Sequence, residues 1–326
     1  MSYRRLLAMV GGALAVLCLA FSPAQAETPV PSVIRIVFPF AAGGSGDALA
    51  RIIAANMGAQ LHCTVIVEDR TGAAGRIGVR DVAQAKPDGS TLLITPIAPM
   101  SVYQHVYKSL SYDPIKDFAP VSQVGTFDFG IAVGPMADVK TLQELVAWAK
   151  ANPDKTNYGI PAAGSLPHFL GVMFGRAAGI KMVNVAYRGS AAAVADVIAG
   201  HIPMIVSTTS DLVQMHKAGR IRMLATSDKQ RSSFVPEVPT FREAGYDLVA
   251  TGWYAIFAPA KTPADLVDRY SKAIAAAVRD PDVKKKMLAF GLNPTGTTAA
   301  ELGRIQQADS DTWAPAVKAS GFTARE

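Results

Sequence analysis

Residues 33–61 have the sequence VIRIVFPFAAGGSGDALARIIAANMGAQL. The run Val33–Phe38 is apolar apart from one arginine and predicts a buried strand. Beyond a glycine-rich turn, apolar residues recur every three to four positions, which predicts a helix over residues 48–61. A strand followed by a tight turn and a helix is the first half of the unit from which α/β sheets are built.

The same alternation of strand and helix continues along the chain. Short strands are predicted over Thr64–Val67 and Thr91–Thr95, with a helix over Ile77–Ala85 between them. Strands that are joined by crossover helices form a largely parallel sheet. The fold class is therefore predicted to be α/β.

Two longer segments, Phe118–Val133 and Leu248–Pro259, are predicted to be extended and break this alternation. A chain that leaves one α/β unit, builds a second and returns has two lobes joined by two crossover segments. We predict lobe 1 from residues 27–127 plus 252–326 and lobe 2 from residues 128–251. Because pockets favour the carboxyl ends of strands and domain interfaces, the cleft between the lobes is the expected ligand site.

The first 26 residues have the features of a cleavable signal peptide. Arg4 and Arg5 precede the uncharged run Leu6–Phe21, and an Ala-x-Ala cleavage site ends at Ala26. Cleavage lowers the formal charge from +6 to +4, which gives no indication of nucleic-acid binding. Since no later segment offers about 18 uninterrupted apolar residues, we expect a periplasmic protein that does not span the bilayer.

The composition excludes two further classes of protein. Half of the 326 residues are hydrophobic, 18% are charged and only two are cysteines. A disordered chain would be less hydrophobic, and a disulfide scaffold would be richer in cysteine. The length instead suggests about two domains.

A strand, a turn containing Gly-Ser and a helix occur together three times, at Ser45, Ser165 and Ser190. Glycine permits a tight turn, serine is a favoured N-cap, and the free amides of a helix start attract an anion. Ser45 belongs to the predicted lobe 1 and the other two serines to lobe 2, so closure would assemble one anion site. Ordinary helix capping without a ligand is the alternative.

Side chains beside these turns each have a binding role and a structural alternative. Asp47 would contact a ligand amine or hydroxyl, or face the dipole of its own helix. His168 would face the cleft or be a buried structural histidine. Arg188 would pair with a ligand carboxylate or remain solvated. Phe40 would wall the pocket or pack in the core.

Enzyme and metal motifs do not match the sequence. The run GGSGD at residues 43–47 differs from a nucleophile elbow at its last position and lacks the lysine of a phosphate-binding loop. The five histidines lack the spacing of a zinc site. We expect no catalytic residues, no cofactor and no metal. A secreted hydrolase that uses Ser45 or Ser165 with His168 is the alternative.

Longer stretches of sequence, spread over essentially the whole mature chain, resemble those of a known protein family. They include PFAAGGSGDALAR from Pro39, YDPIKDFAPVSQVG from Tyr112, GSLPHFLG from Gly164 and YRGSAAAVADVIAGHIPM from Tyr187. In this ordered set the chain resembles the Bug-type substrate-binding proteins of tripartite tricarboxylate transporters. The resemblance implies a type II periplasmic-binding-protein (Venus flytrap) fold and a protein without catalytic activity that delivers an organic anion to a membrane permease.

The resemblance also implies which turns hold the ligand, and these turns together with the side-chain candidates define a predicted site. The predicted ligand-binding residues are Phe40, Ala42, Gly43, Gly44, Ser45, Asp47, Thr95, Pro96, Ala162, Ala163, Gly164, Ser165, His168, Arg188, Gly189, Ser190 and Thr208. Many relatives have an acidic residue after the strand that matches Met204–Val206, where this chain has Ser207-Thr208-Thr209. We expect these hydroxyls to contact the distal end of the ligand less selectively.

We therefore expect an extracytoplasmic solute-binding protein that captures a small organic carboxylate between its lobes. The candidates are a di- or tricarboxylate, an aromatic acid and an acidic amino acid. The expected partners are this ligand and the membrane subunits of a tripartite tricarboxylate-type transporter, with no nucleic acid, and we expect a monomer. A binding protein that presents its closed form to a two-component receptor is a further alternative.

Overall fold

The structure, a computed structural model, describes residues 27–320, 322 and 324. The predicted signal peptide and its cleavage site lie outside the described residues. The strands are β1 (Val33–Phe38), β2 (Thr64–Asp69), β3 (Thr91–Pro96), β4 (Phe118–Val133), β5 (Asn157–Ile160), β6 (Val183–Ala186), β7 (Met204–Thr208), β8 (Arg222–Thr226), β9 (Thr251–Pro259) and β10 (Asn293–Pro294). The α-helices are α1 (Ser45–Leu61), α2 (Arg76–Ala83), α3 (Tyr103–Val106), α4 (Leu142–Ala151), α5 (Leu166–Ala178), α6 (Ser190–Ile198), α7 (Thr209–Lys217), α8 (Ala264–Arg279), α9 (Pro281–Ala289) and α10 (Ala299–Ser320).

The first group of strands has the order β2-β1-β3-β9-β4. β1 pairs in parallel with β2 and β3, whereas β9 runs antiparallel to both β3 and β4. The central strand β3 is buried from Thr91 to Thr95, and Ile66 on the edge strand β2 is 48% exposed. The burial of β3 is typical of a strand covered on both faces, and the exposure of Ile66 is typical of an edge strand.

The second group of strands is centred on β7 and the end of β4. β5 pairs in parallel with β6 and β7, and β7 and β8 run antiparallel to β4. β4 belongs to both groups because its residues 118–128 pair with β9 and its residues 129–133 pair with β7 and β8. The exchange of partners after Asp128 makes β4 one of the two crossover segments.

The extended crossovers follow the sequence prediction with one difference. β4 has the predicted bounds, Phe118–Val133. β9 begins at Thr251, so residues 248–250 of the predicted extended segment lie outside the strand. The Ser227 carbonyl accepts from the Ala250 amide and the Ser227 hydroxyl donates to the Ala250 carbonyl, so a loop contact replaces the strand ladder there.

The predicted role of Ser45 and Ser190 as N-caps is wrong. Both are the first helical residues, and Gly44 and Gly189 hold the N-cap positions. Gly189 has φ of 147°, which strongly favours glycine. Ser165 does hold an N-cap position, but its hydroxyl donates to the Ala162 carbonyl and caps no helical amide.

None of the helices in the described part of the chain is long and apolar enough to cross a membrane.

The largest fully buried side chains include Tyr103, Tyr158, Phe129 and Phe257. Large buried side chains thus lie in both strand groups and at the crossover.

Candidate functional site

The carboxyl ends of β1, β3, β5, β6 and β7 meet at one cavity of about 580 Å³, counting its opening to solvent. The lining consists mainly of aromatic and aliphatic groups with a few hydroxyls and one carboxylate. The lining residues are Phe38, Phe40, Ala41, Gly44, Gly46, Pro96, Ile97, Ala98, Tyr103, Phe127, Phe129, Pro161, Ala162, Ser165, Leu166, Pro167, Gly189, Ser190, Thr208, Asp211 and Tyr254.

The turn between β1 and α1 brings a helix N-terminus to this cavity. A side chain at Gly46 would meet the Phe38 ring at 2.6 Å and the Tyr254 ring at 2.9 Å, so the absence of a Cβ lets both rings pack on the helix. A side chain at Gly44 would meet the Ser190 hydroxyl at 2.7 Å. Glycine at position 44 therefore permits the β1–α1 turn to approach the start of α6 closely.

Two turns of the second strand group, before α5 and α6, face the first turn across the cavity. Ser165 precedes α5 and Ser190 begins α6, and both side chains are buried. Among the described residues, the Ser190 hydroxyl has no hydrogen-bond partner. A hydroxyl at a helix start, beside amides that have no partner within their helix, is suited to bind an anionic oxygen.

The first turn of α7 carries Asp211, which was not among the predicted site residues. Its Oδ1 accepts from the Ser45 amide at 2.9 Å, and its Oδ2 accepts from the hydroxyls of Ser207 at 3.0 Å and Thr208 at 2.8 Å. The serine and threonine that we expected to contact the ligand by themselves thus hold a carboxylate at the cavity. A signal was present, because an acidic residue in a first helical turn after a strand is the pattern already used to select Asp47.

Direct hydrogen bonds join the two predicted lobes across the cleft. The Ala41 amide donates to the Arg188 carbonyl at 2.8 Å, and the Ser45 hydroxyl lies 2.9 Å from that of Ser210. With the Ser45–Asp211 bond, these contacts hold the β1–α1 turn against the other strand group. The structure is therefore in a closed arrangement.

Eight of the predicted site residues line the main cavity. These are Phe40, Gly44, Pro96, Ala162, Ser165, Gly189, Ser190 and Thr208. Gly43, Ser45 and Asp47 line an adjoining cavity, which shares Gly44, Ser190 and Asp211 with the main one. The three shared residues form a partition between the two cavities.

The other predicted residues do not line either cavity, although they lie in the same turns. Ala42 is exposed, Thr95 is fully buried beside Pro96, and Ala163 and Gly164 form the turn before Ser165. Arg188 is exposed, and its backbone carbonyl accepts a hydrogen bond from the Ala41 amide. These residues shape the turns through their backbone.

His168 is buried behind the α5 turn. Its Nδ1 accepts from the Gly164 amide at 3.1 Å, which places the ring proton on Nε2, and Nε2 lies 2.9 Å from the Asn184 side-chain amide. Burial lowers the pKa of His168 to about 4, so the ring is neutral at physiological pH. The structural role that the sequence left open for His168 accounts for all of these contacts.

Asp47 supports its own turn. Its Oδ2 accepts from the Gly43 amide at 3.0 Å, and its Oδ1 lies 2.7 Å from Nε of Arg51, one helical turn away. The carboxylate therefore stabilises the positive end of α1 from within the same segment.

Most of the aromatic wall was not among the residues predicted from the sequence. Phe127 and Phe129 pack edge to face at the point where β4 changes partners, and Tyr254 lies 4.9 Å from the Phe127 ring centroid. Their spacing of two residues along β4 places Phe127 and Phe129 on the same face of the strand. That alternation was visible in the sequence, but which face borders the cavity was not.

Within the described residues, no group of three or more histidine, cysteine, aspartate or glutamate side chains could hold a metal ion. The two serines of the hydrolase alternative are engaged away from His168, since the Ser165 hydroxyl donates to the Ala162 carbonyl and the Ser45 hydroxyl lies beside that of Ser210. The site offers an apolar wall with helix amides and hydroxyls at one side.

Residues 49–322 match the model of the tripartite tricarboxylate transporter family receptor. A UPF0065 protein of Bordetella bronchiseptica is 36% identical over 275 residues, covering 84% of this chain and 82% of that protein. Protein BugT of Bordetella pertussis is 31% identical over 323 residues, covering 98% of this chain and 99% of BugT.

Solved structures agree with these sequence matches. The periplasmic binding protein BugD superposes with a TM-score of 0.85 at 28% identity, covering 90% of this chain and 98% of BugD. A Rhodopseudomonas palustris protein solved with adipate gives 0.86 at 27%, covering 89% and 98%, and MatC from the same organism with bound malate gives 0.83 at 26%, covering 87% and 98%. The predicted two-lobed fold is confirmed. The chain belongs to the tripartite tricarboxylate transporter receptor family, the family of the Bug-type periplasmic solute-binding proteins.

Proposed function

We propose that this protein captures a small organic carboxylate in the cavity between its lobes, in the periplasm, and delivers it to the membrane subunits of a tripartite tricarboxylate-type transporter. It acts as a monomer and catalyses no reaction. Family membership supports the solute-binding role, and the adipate and malate in the related structures support a carboxylate ligand.

One observation carries the proposal. The helices α1, α5, α6 and α7 all begin at the same cavity, with α1 in the predicted lobe 1 and the other three in lobe 2. Helix starts present unpaired amides and a positive dipole end, which bind a carboxylate without any arginine or lysine. Because the site is divided between the lobes, a ligand binds best when they are closed.

Transport requires that the ligand change the balance between open and closed forms. A ligand shifts this balance only through its higher affinity for the closed form, in which both halves of the site contact it. The permease then distinguishes loaded from empty protein by the arrangement of the lobes.

Thermal denaturation with a panel of di- and tricarboxylates, aromatic acids and acidic amino acids tests ligand capture. At 100 times its Kd, a bound ligand adds about 2.7 kcal/mol to the free energy of unfolding, which raises the Tm measurably. A neutral sugar of similar size is the matched control and should leave the Tm unchanged. Stabilisation by sugars alone, with no carboxylate active, would contradict the proposal.

A Ser190→Asp variant tests whether the carboxylate binds at the helix starts. A second negative charge at the start of α6 should abolish the thermal shift by repulsion. Ser111→Asp places the same charge at an exposed position outside the cavity and should retain the full shift. Equal shifts in the two variants would place the ligand elsewhere.

The two alternative functions, a serine hydrolase and a sensory binding protein, predict different experimental results. A serine hydrolase predicts turnover of an ester that is lost in Ser45→Ala or Ser165→Ala, whereas the binding role predicts none in any variant. A sensory role predicts that deletion of the gene abolishes a transcriptional response to the carboxylate but leaves its uptake intact. Loss of uptake, together with a mature N-terminus at Glu27, supports transport from the periplasm.

A further inference from the structure

The charge distribution around the cavity narrows the class of carboxylate. Lys, Arg and His are missing from the 21 lining residues, and Asp211 is the one acidic residue among them. A ligand carboxylate in this cavity therefore depends on helix amides and hydroxyls for its partners. The number of such positions that remain free decides how many carboxylates a ligand can carry.

Carboxylates of the protein itself lie at the start of α1. Asp211 accepts from the Ser45 amide, and Asp47 accepts from the Gly43 amide. Asp211 also lies in the first turn of α7, where its charge offsets the positive end of that helix. Internal acids thus place negative charge at the starts of α1 and α7, whereas the first turns of α5 and α6 contain no acidic residue.

The starts of α5 and α6 are the ones that remain for a ligand. They follow β5 and β6, which are parallel neighbours in the sheet, so the two helix starts lie side by side. The start of α5 is partly used, because Pro167 has no amide hydrogen and the Gly164 amide donates to His168. The start of α6 has Ser190, which is 8% exposed and lines the cavity, and the Ser190 hydroxyl has no partner among the described residues. One carboxylate fits this position.

The rest of the cavity offers apolar partners. Six aromatic rings line it, those of Phe38, Phe40, Tyr103, Phe127, Phe129 and Tyr254. The Tyr103 hydroxyl is engaged with the Ala74 carbonyl, so that ring presents its carbons. A second ligand carboxylate here would lose its hydration without gaining a charged partner, which is strongly unfavourable.

We propose that the ligand is a monocarboxylate with an aromatic body. Its carboxylate binds at the starts of α5 and α6, and its ring packs among the phenylalanine and tyrosine rings of the cavity. The inference rests on the proposed function and separates this chain from the relatives solved with adipate and malate. Aromatic pairs add to the burial of apolar area, so a ring is preferred over an alkyl chain.

Isothermal titration with two matched pairs of probes tests the number of carboxylates. Hexanoate and adipate differ by one terminal carboxylate, as do benzoate and terephthalate. We expect each monocarboxylate to bind about tenfold or more tightly than its dicarboxylate, because a buried carboxylate without partners costs more than about 1.4 kcal/mol. Tighter binding of adipate or terephthalate would overturn the inference and leave the proposed function intact. Failure of all four, and of every other carboxylate, would contradict the proposed function itself.

Two variants test which residues determine the preference for an aromatic monocarboxylate. Phe40→Leu should lower the ratio of benzoate to hexanoate affinity by several-fold while the protein still folds, since it replaces one ring with an alkyl group. Asp211→Ala frees the Ser45 amide and removes a negative charge, and should raise adipate affinity relative to hexanoate. Asp247→Ala, at an exposed position, is the control and should change neither ratio. An unchanged benzoate to hexanoate ratio in Phe40→Leu would contradict the aromatic preference.

Discussion

The backbone amide of Ser45 donates a hydrogen bond of 2.9 Å to the carboxylate of Asp211, across the cleft and 166 residues further along the chain. The amide belongs to the first turn of α1 and the acid to the first turn of α7. An internal carboxylate thus holds the position at which a helix start would otherwise bind an external anion. The contact stabilises the closed arrangement without a ligand.

We expect Asp211→Asn to favour the open form of the unliganded protein. Hydrogen bonds to a charged group contribute about 1.5 to 3 kcal/mol, and the amide group weakens the bonds from Ser45, Ser207 and Thr208. The radius of gyration in small-angle X-ray scattering should increase and the Tm should fall. Asp247→Asn, whose side chain is 85% exposed, is the control. A radius and Tm equal to those of the parent would show that the contact does not support closure.

Gly44→Ala should impair closure without impairing folding. Gly44 has φ of −89° and ψ of 173°, which alanine adopts without strain, but the new Cβ would meet the Ser190 hydroxyl at 2.7 Å. We expect about a tenfold rise in Kd for the ligand, equivalent to about 1.4 kcal/mol, because the clash opposes the closed arrangement.

The control for this variant is Gly303→Ala, because a Cβ there would meet nothing closer than 3.7 Å. Removal of the Ser190 hydroxyl in Gly44→Ala/Ser190→Ala should recover part of the affinity if the clash is the cause. An affinity for Gly44→Ala equal to that of Gly303→Ala would contradict the close approach of the two turns.

Asp128→Asn should stabilise the protein above neutral pH. Burial raises the pKa of Asp128 to about 6, with the nearby charge of Asp228 contributing. The folded protein therefore binds the proton more tightly than the unfolded chain, so stability falls as the pH rises from about 4 to above 6. The higher pKa in the folded protein corresponds to about 3 kcal/mol of lost stability, which the asparagine variant should recover at pH 8 but not at pH 4.

Chemical denaturation across this pH range measures the effect of Asp128. Asp268→Asn, at an exposed position beside Lys272, is the control and should follow the parent curve. If Asp128→Asn gives the same free energy difference from the parent at pH 4 and pH 8, the buried carboxyl does not titrate in this window.

His168→Asn should make the protein less sensitive to acid. The pKa of His168 is lowered by burial to about 4, so the unfolded chain binds a proton more readily and stability is lost as the pH falls through 6.5 toward 4. Asparagine retains an acceptor for the Gly164 amide without this titration. The parent should lose about 3 kcal/mol more than the variant between pH 6.5 and pH 4.

At neutral pH the same variant should be the less stable protein, because the imidazole packs against Phe169 and Phe322. His201→Asn, at an exposed position, provides the comparison. Parallel pH profiles of the parent and His168→Asn would contradict the assignment of His168 as a buried neutral ring.

Local sequence patterns predicted the elements well and the long-range contacts poorly. β4 has its predicted bounds, and α1 begins three residues earlier than predicted, because strand and helix periodicity are properties of neighbouring residues. The predicted turns do reach one cavity, with Gly44, Ser165 and Ser190 in its wall. Glycine spacing could indicate that these turns exist, but not that Gly44 would lie against Ser190.

The sequence by itself determined the α/β class, the crossover Phe118–Val133 and the three Gly-Ser turns, because each depends on local conformational preference and the burial of nearby apolar residues. Only the tertiary structure decided that Asp211 occupies the start of α1, that His168 is buried, and that a wall of rings faces the start of α6. These relationships depend on the pairing of β4 with β9 and β7, which brings distant segments together. No local pattern contains that information.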